Sequence, residues 1–119
     1  MKIWFVFLGG GLGSLARFGF QYYLPNAHSL SVPTLSANLI SCLILGYLAG
    51  LKMKLQISED AYLLLATGFC GGFSTFSTLM LENWQAFRMG KIGIALLYSF
   101  LSLGLGFLSL VMGYFLSNK

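Results

Sequence analysis

Four apolar stretches, at about 3–24, 33–51, 61–84 and 91–116, alternate with short polar joints along the chain. Each comes close to or exceeds the ~20 residues that a helix needs to cross ~30 Å of hydrocarbon. The pattern predicts four transmembrane helices. Their ends carry helix punctuation. Pro25-Asn26 closes the first stretch, because proline cannot continue a helix. Pro33 suits the first turn of the second, with Ser31 as a cap. Ser58 stands as N-cap of the third, and the acids Glu59 and Asp60 suit its positive end. Met1-Lys2 followed by an apolar run resembles the start of a signal peptide. The run continues through glycines and Arg17 to Tyr23 without a small-residue cleavage pattern, so it reads as a retained first span. With no repeat and no long linker, residues 1–119 read as a single transmembrane domain.

The third stretch departs from a plain apolar helix. It contains Gly71-Gly72-Phe73-Ser74-Thr75-Phe76-Ser77-Thr78. Paired glycines loosen a helix and remove side-chain bulk. Backbone that leaves the helix at membrane depth survives only where protein buries it or a wet cavity meets it. This run therefore predicts a helix broken mid-membrane, its freed backbone groups and hydroxyls turned to an ion or a pathway.

Composition sharpens the class. Only 8% of residues are charged and 57% are hydrophobic, with mean hydropathy +0.81. A soluble domain carries about a quarter charged residues, so this chain cannot clothe a water-facing surface. The reading is an all-α, multi-pass protein of the cell membrane, in contact with lipid. The net charge of +4 sits mainly at span ends, which excludes a nucleic-acid patch. Cys42 and Cys70 read as small buried hydrophobes, and His28 as a lone loop residue. No acid–base pair, nucleophilic triad or metal cluster supports an enzyme. Four crossings put Lys2, Lys52, Lys54 and Lys119 on one side with Glu59 and Asp60, against Arg88 and Lys91, with Arg17 near them. The bias toward cytoplasmic termini is slight and leaves room for insertion in both orientations. Polar stripes on several of only four helices call for a partner, and a two-fold dimer is the economical one.

The stripes themselves are specific. Gly9/Gly13 and Gly10/Ser14 form small-xxx-small pairs suited to close helix packing. Arg17 either snorkels to the interface or joins an anion-attracting vestibule. Thr34, Asn38 and Ser41 share one face of the second span. The Asn38 amide serves either an interhelical bond or a passing anion, offering donors without fixed charge. Ser74 and Thr78 stand at i, i+4; single helical hydroxyls often bond back one turn, but four beside a glycine pair exceed that role. Free carbonyls at a break suit a cation. Glu82, near the exit of the third span, is either an ion-pair partner for Arg17 or an ordinary interfacial acid. Ser99, Ser102, Gly106, Ser109 and Gly113 make a small polar stripe with Tyr98 beside it, either a packing face or a hydroxyl track. Neutral donors abound and no acid lies mid-span. That balance suits an anion, to which the edge of the Phe76 ring adds partial positive charge.

These residues carry a resemblance. The four-span length, Gly9 through Arg17 (Gly-Gly-Gly-Leu-Gly-Ser-Leu-Ala-Arg), Asn38, and Gly68-Phe69-Cys70-Gly71-Gly72-Phe73-Ser74-Thr75-Phe76-Ser77-Thr78 resemble the Fluc/CrcB fluoride channels over the whole chain. The resemblance implies an antiparallel, dual-topology dimer with two fluoride pores and a structural sodium ion at the subunit interface. It implies backbone carbonyls of Gly71 and Ser74 for the sodium. It places Asn38, Phe76, Thr75, Thr78, Tyr98 and Ser102 along the pore, with Arg17 and Glu82 supporting it. One position departs: the family's second phenylalanine is Leu79 here. Either one ring per subunit suffices in a homodimer, or a related subunit in a heterodimer supplies the other.

The expected function is passive export of cytoplasmic fluoride. A proton-coupled exporter of cationic drugs is the alternative among four-span dimers, but such proteins need an acid in the first span, where this chain has only Arg17. A non-transporting assembly subunit would account for the glycine stripes and not for the hydroxyl-rich break.

Overall fold

The structure, a computed structural model, describes residues 1–24 and 31–119. Pro25, Asn26 and His28, to which the sequence assigned a helix stop and a loop histidine, lie outside the described residues. Four apolar helical segments are long enough to cross a membrane: Lys2–Tyr23, Val32–Met53, Glu59–Arg88 and Ile92–Leu116. All four predicted spans are present. The third is longer at both ends than the apolar run alone indicated, because helix continues through the polar Glu59, Asp60, Gln85 and Arg88.

In element order the chain forms α1 (Lys2–Tyr23), α2 (Val32–Met53), α3 (Glu59–Tyr62), a π-helical stretch (Leu63–Cys70), α4 (Gly71–Phe73), α5 (Phe76–Arg88) and α6 (Ile92–Leu116). The third span comprises α3 to α5. Ser58 caps α3 as its sequence position indicated, its hydroxyl accepting the Ala61 amide at 3.2 Å. Ser31 occupies the N-cap position of α2 but its hydroxyl does not cap; it donates to Thr34 Oγ1 at 3.0 Å. Gly90 ends α5 with φ +75°, where its amide bonds the Phe87 carbonyl and the Lys91 amide reaches back to Ala86. That reversal needs the left-handed conformation that glycine adopts without a Cβ clash.

Two seams organise the bundle, and both are built on absent side chains. In the first, α1 lies against the first half of the third span. A methyl group on Gly9 would overlap the Leu64 carbonyl oxygen, and one on Gly13 the Phe69 carbonyl oxygen. In the second, α2 lies against α6, where a methyl group on Gly46 would overlap the Leu110 carbonyl and one on Gly113 the Leu43 carbonyl. Lipid supplies no hydrophobic drive for one helix to meet another, so close backbone approach and its dispersion energy hold these pairs. Leu48, Ala66 and Cys70 form a small core where α2 meets the π-helical stretch. At the edge holding both termini, Lys2 pairs with Glu59 at 2.8 Å and Lys54 Nζ donates to the Ser117 carbonyl at 2.6 Å. The common placement of those ends follows from an even number of crossings.

Candidate functional site

The third span does break, two residues beyond the glycine pair that signalled it. Gly71–Phe73 remain helical. The chain leaves the helix at Ser74 (φ −79°, ψ 156°) and Thr75 (φ −153°, ψ 120°), then α5 begins at Phe76. The glycines do other work. A methyl group on Gly72 would overlap the Gly10 carbonyl, so Gly72 is a packing residue, while Gly71 is exposed with nothing within 4 Å of where its Cβ would stand.

Polar side chains hold the broken segment. Asn38 on α2 is paired with the backbone of Thr75: its Oδ1 accepts the Thr75 amide at 2.7 Å and its Nδ2 donates to the Thr75 carbonyl at 3.2 Å. Thr75 Oγ1 accepts the Thr78 amide at 3.2 Å, donates to Thr78 Oγ1 at 3.1 Å and lies 3.3 Å from Ser77 Oγ. One turn earlier, the Cys70 carbonyl receives the Ser74 amide, the Ser74 hydroxyl at 2.7 Å and the Ser41 hydroxyl at 3.0 Å. Thr34, Asn38 and Ser41 thus share a face, as their spacing predicted, and that face is turned to the third span. Ser74 and Thr78, whose i, i+4 spacing would put them on one face of a continuous helix, do not keep that spacing, because the backbone is extended at Ser74 and Thr75.

Two carbonyls lose their helical donors in consequence. In a continuous helix the Thr75 amide would bond the Gly71 carbonyl, and the Thr78 amide that of Ser74. Here Asn38 takes the first amide and Thr75 Oγ1 the second. Gly71 and Ser74 are the positions that the family resemblance assigns to a sodium ion. Neutral carbonyl oxygens deprived of donors are suitable ligands for a hard cation, so the residues present fit that group. Among the described residues no cluster of three or more His, Cys, Asp or Glu side chains competes for a metal.

Past the break, α5 is tied to its neighbours. The Glu82 carboxylate accepts Thr34 Oγ1 at 2.7 Å on one oxygen and the buried Tyr98 hydroxyl at 2.8 Å on the other. The ion pair with Arg17 is not formed; both oxygens of Glu82 are engaged by hydroxyls of α2 and α6, and Arg17 is half-buried on α1. Asn83, which the sequence reading did not single out, donates to Ser99 Oγ at 2.8 Å. The argument applied to Asn38, an amide inside an apolar span, finds it equally well. Ser102 Oγ is buried without a partner among the described residues, as is Asn83 Oδ1. The two residues that the family resemblance assigns to pore rings differ: Phe76 is 69% exposed and Leu79 only 5%. The Phe76 ring stands on an open face, whereas Leu79 is buried within the chain.

Beside the break, an open groove of about 490 Å³ runs between α1 and the third span, floored by Gly10, Gly11, Ser14, Gly68, Gly71 and Gly72.

These features define a multi-pass membrane protein whose third span is broken, bordered by neutral hydrogen-bond donors and by carbonyls without their helical donors. The model of the CrcB-like protein family, camphor resistance (CrcB), matches residues 4–114. The chain is 39% identical over 123 residues to a protein of Gloeothece citriformis, covering 100% of this chain and 98% of that one. It is 38% identical to a protein of Pyrococcus furiosus, over 96% and 94% of the two chains, and 40% identical to one of Thermus thermophilus, over 92% and 87%. Each relative is named fluoride-specific ion channel FluC. The chain belongs to the CrcB family.

Proposed function

We propose that the chain is a fluoride-selective channel that lets cytoplasmic fluoride leave down its electrochemical gradient. It is a transport protein and not an enzyme. The observation that carries the reading is the break at Ser74–Thr75, bordered by Asn38, Thr75 and Thr78, with Tyr98 and Ser102 of α6 as further neutral donors, in a chain whose family relatives are named for fluoride. Fluoride holds its water tightly, so a path for it must replace that water with hydrogen-bond donors, and neutral donors release the ion more readily than fixed cations. The Ser102 hydroxyl, buried without a partner among the described residues, has a donor to offer. The exposed Phe76 ring presents a partly positive edge. Fluoride enters cells as its neutral acid and is trapped as the anion at higher internal pH. A passive anion path therefore empties the cell without an energy source.

The reading includes a dimer in which two copies insert with opposite orientation. The groove along α1 and the outward Phe76 ring are the faces that a partner would cover. The partner is a second copy, or a related subunit carrying the ring that Leu79 lacks. A sodium ion held by the Gly71 and Ser74 carbonyls would supply positive charge at that junction. Arg17 would raise the anion concentration near the entrance, and Glu82 would hold α5 against α2 and α6.

Fluoride efflux from liposomes containing this chain alone tests function and self-sufficiency together. Selective efflux supports the channel and a homodimer. Efflux only after a related subunit is added supports the heterodimer, and chloride flowing while fluoride stays at the protein-free rate overturns the channel. Phe76→Ile keeps apolar bulk and removes the ring edge, so fluoride flux should fall about tenfold, the kinetic equivalent of one lost stabilising contact.

A further inference from the structure

We infer that Asn38 is a positioning residue for the cation site: by taking the Thr75 amide, its side chain keeps the Gly71 carbonyl available as a ligand. The inference deepens the reading of Gly71 and Ser74 as cation ligands and rests on it. The sequence offered the Asn38 amide either to a neighbouring helix or to a passing anion. The structure commits one oxygen and one N–H of that amide to a single residue 37 positions away.

The argument is an exchange of acceptors. Backbone amides at membrane depth must be satisfied, and the nearest acceptor for the Thr75 amide is the carbonyl one helical turn earlier, that of Gly71. If that bond forms, the helix continues, Ser74 and Thr75 become helical, and the Gly71 carbonyl is closed to a cation. Asn38 Oδ1 replaces that carbonyl at 2.7 Å, and Nδ2 satisfies the Thr75 carbonyl in return. The pairing resembles a bridge between two extended strands, and Thr75 has the matching extended conformation. Thr75 repeats the device one step on: its hydroxyl takes the Thr78 amide, leaving the Ser74 carbonyl without its helical donor. Each of the two proposed ligands is thus exposed by a side chain substituting for it. A helical Ser or Thr bonding back to a carbonyl would do the reverse, as Ser74 does at the Cys70 carbonyl.

The two atoms of the amide have separable roles. The acceptor, Oδ1, exposes Gly71; the donor, Nδ2, satisfies Thr75. Asn38→Asp retains the acceptor at nearly the same volume, and Asn38→Leu removes both. The test uses isotopically labelled protein in lipid bilayers without fluoride. The Gly71 carbonyl carbon and the Thr75 amide are followed by solid-state NMR as sodium chloride replaces N-methylglucamine chloride. In the unsubstituted protein the Gly71 carbonyl signal should move with sodium and the Thr75 amide should resist hydrogen exchange in both salts. In Asn38→Leu the Gly71 signal should cease to follow sodium, while in Asn38→Asp it should still follow it. A sodium response in Asn38→Leu equal to that of the unsubstituted protein overturns the inference and leaves the cation site standing. Should the leucine variant fail to fold, loss of the response in Asn38→Asp overturns it as well. No response in the unsubstituted protein overturns both the inference and the cation site beneath it.

Discussion

The two halves of the third span are held by opposite means. The first half, α3 through α4, lies on α1 at backbone distance because Gly9, Gly13 and Gly72 carry no side chains. The second half, α5, is held by side chains that reach: Glu82 to Thr34 and Tyr98, Asn83 to Ser99, and Asn38 to the residue just before α5. In lipid both solutions substitute for a hydrophobic drive that does not exist between helices. They fail differently. Shape is destroyed by one added methyl group, whereas a polar tie is weakened by one lost oxygen. The proposed path lies along the tied half, where the same donors would serve both the ion and the packing.

The largest expected effect is therefore an addition. Gly9→Val would drive two methyl groups toward the Leu64 carbonyl oxygen, with the Phe69 amide nitrogen 2.9 Å and Gly68 Cα 3.0 Å from the first carbon. These are backbone atoms of a packed helix and have no rotamer to yield. The substitution should cost about 3 kcal/mol or more, the upper range for overpacking, read as the shift in an unfolding titration in mixed micelles. Stability close to that of the unsubstituted protein would show that the seam is loose and the contrast false.

Removing an oxygen from the tied half should do less. Thr75→Val keeps the shape and deletes the hydroxyl that receives the Thr78 amide. Loss of an N-cap costs about 1 kcal/mol, measurable in the same titration, and Thr75→Ser should recover most of it by restoring the oxygen. The fluoride flux of Thr75→Val should fall further than its stability, since the same hydroxyl belongs to the proposed path. Equal losses in both would reduce Thr75 to a cap.

The sequence disclosed these two halves unevenly. Span number and approximate ends were legible because long apolar runs in a chain with so few charges admit one reading. The glycine seam on α1 was legible for the same kind of reason, since small residues at i, i+4 have a local signature. The break was legible to within a few residues, though not the polar contact that holds it. Paired glycine is a local signal, but the unwound residues are Ser74 and Thr75, and the side chain that bonds the Thr75 backbone is Asn38 of another helix. No local window contains that partner. The fate of Glu82 was hidden likewise: three helices had to be placed before Thr34 and Tyr98, rather than Arg17, met its two oxygens. The assignment of Asn38, Phe76, Tyr98 and Ser102 to a pore came from resemblance to a family as well as from chemistry, and what the structure adds is which of their polar atoms are already engaged.

The smallest expected effect falls on the residue that belongs to neither mechanism within its own chain. Gly71 has ordinary helical backbone angles (φ −63°, ψ −35°) and open space where a Cβ would stand. Gly71→Ala should leave the unfolding of the subunit unchanged or raise its stability by up to about 0.5 kcal/mol, since alanine loses less chain entropy than glycine in a helix. Its neighbour supplies the control: Gly72→Ala meets the Gly10 carbonyl and should unfold more readily. The open space at Gly71 borders the groove beside α1, so the methyl group that the subunit tolerates should obstruct a second copy seated there. Association in lipid, measured by energy transfer between labelled subunits, should weaken while unfolding does not. A Gly71→Ala protein that unfolds as readily as Gly72→Ala would place both glycines in the packed seam. One that associates as strongly as the unsubstituted chain would mean that the proposed pairing does not use this groove.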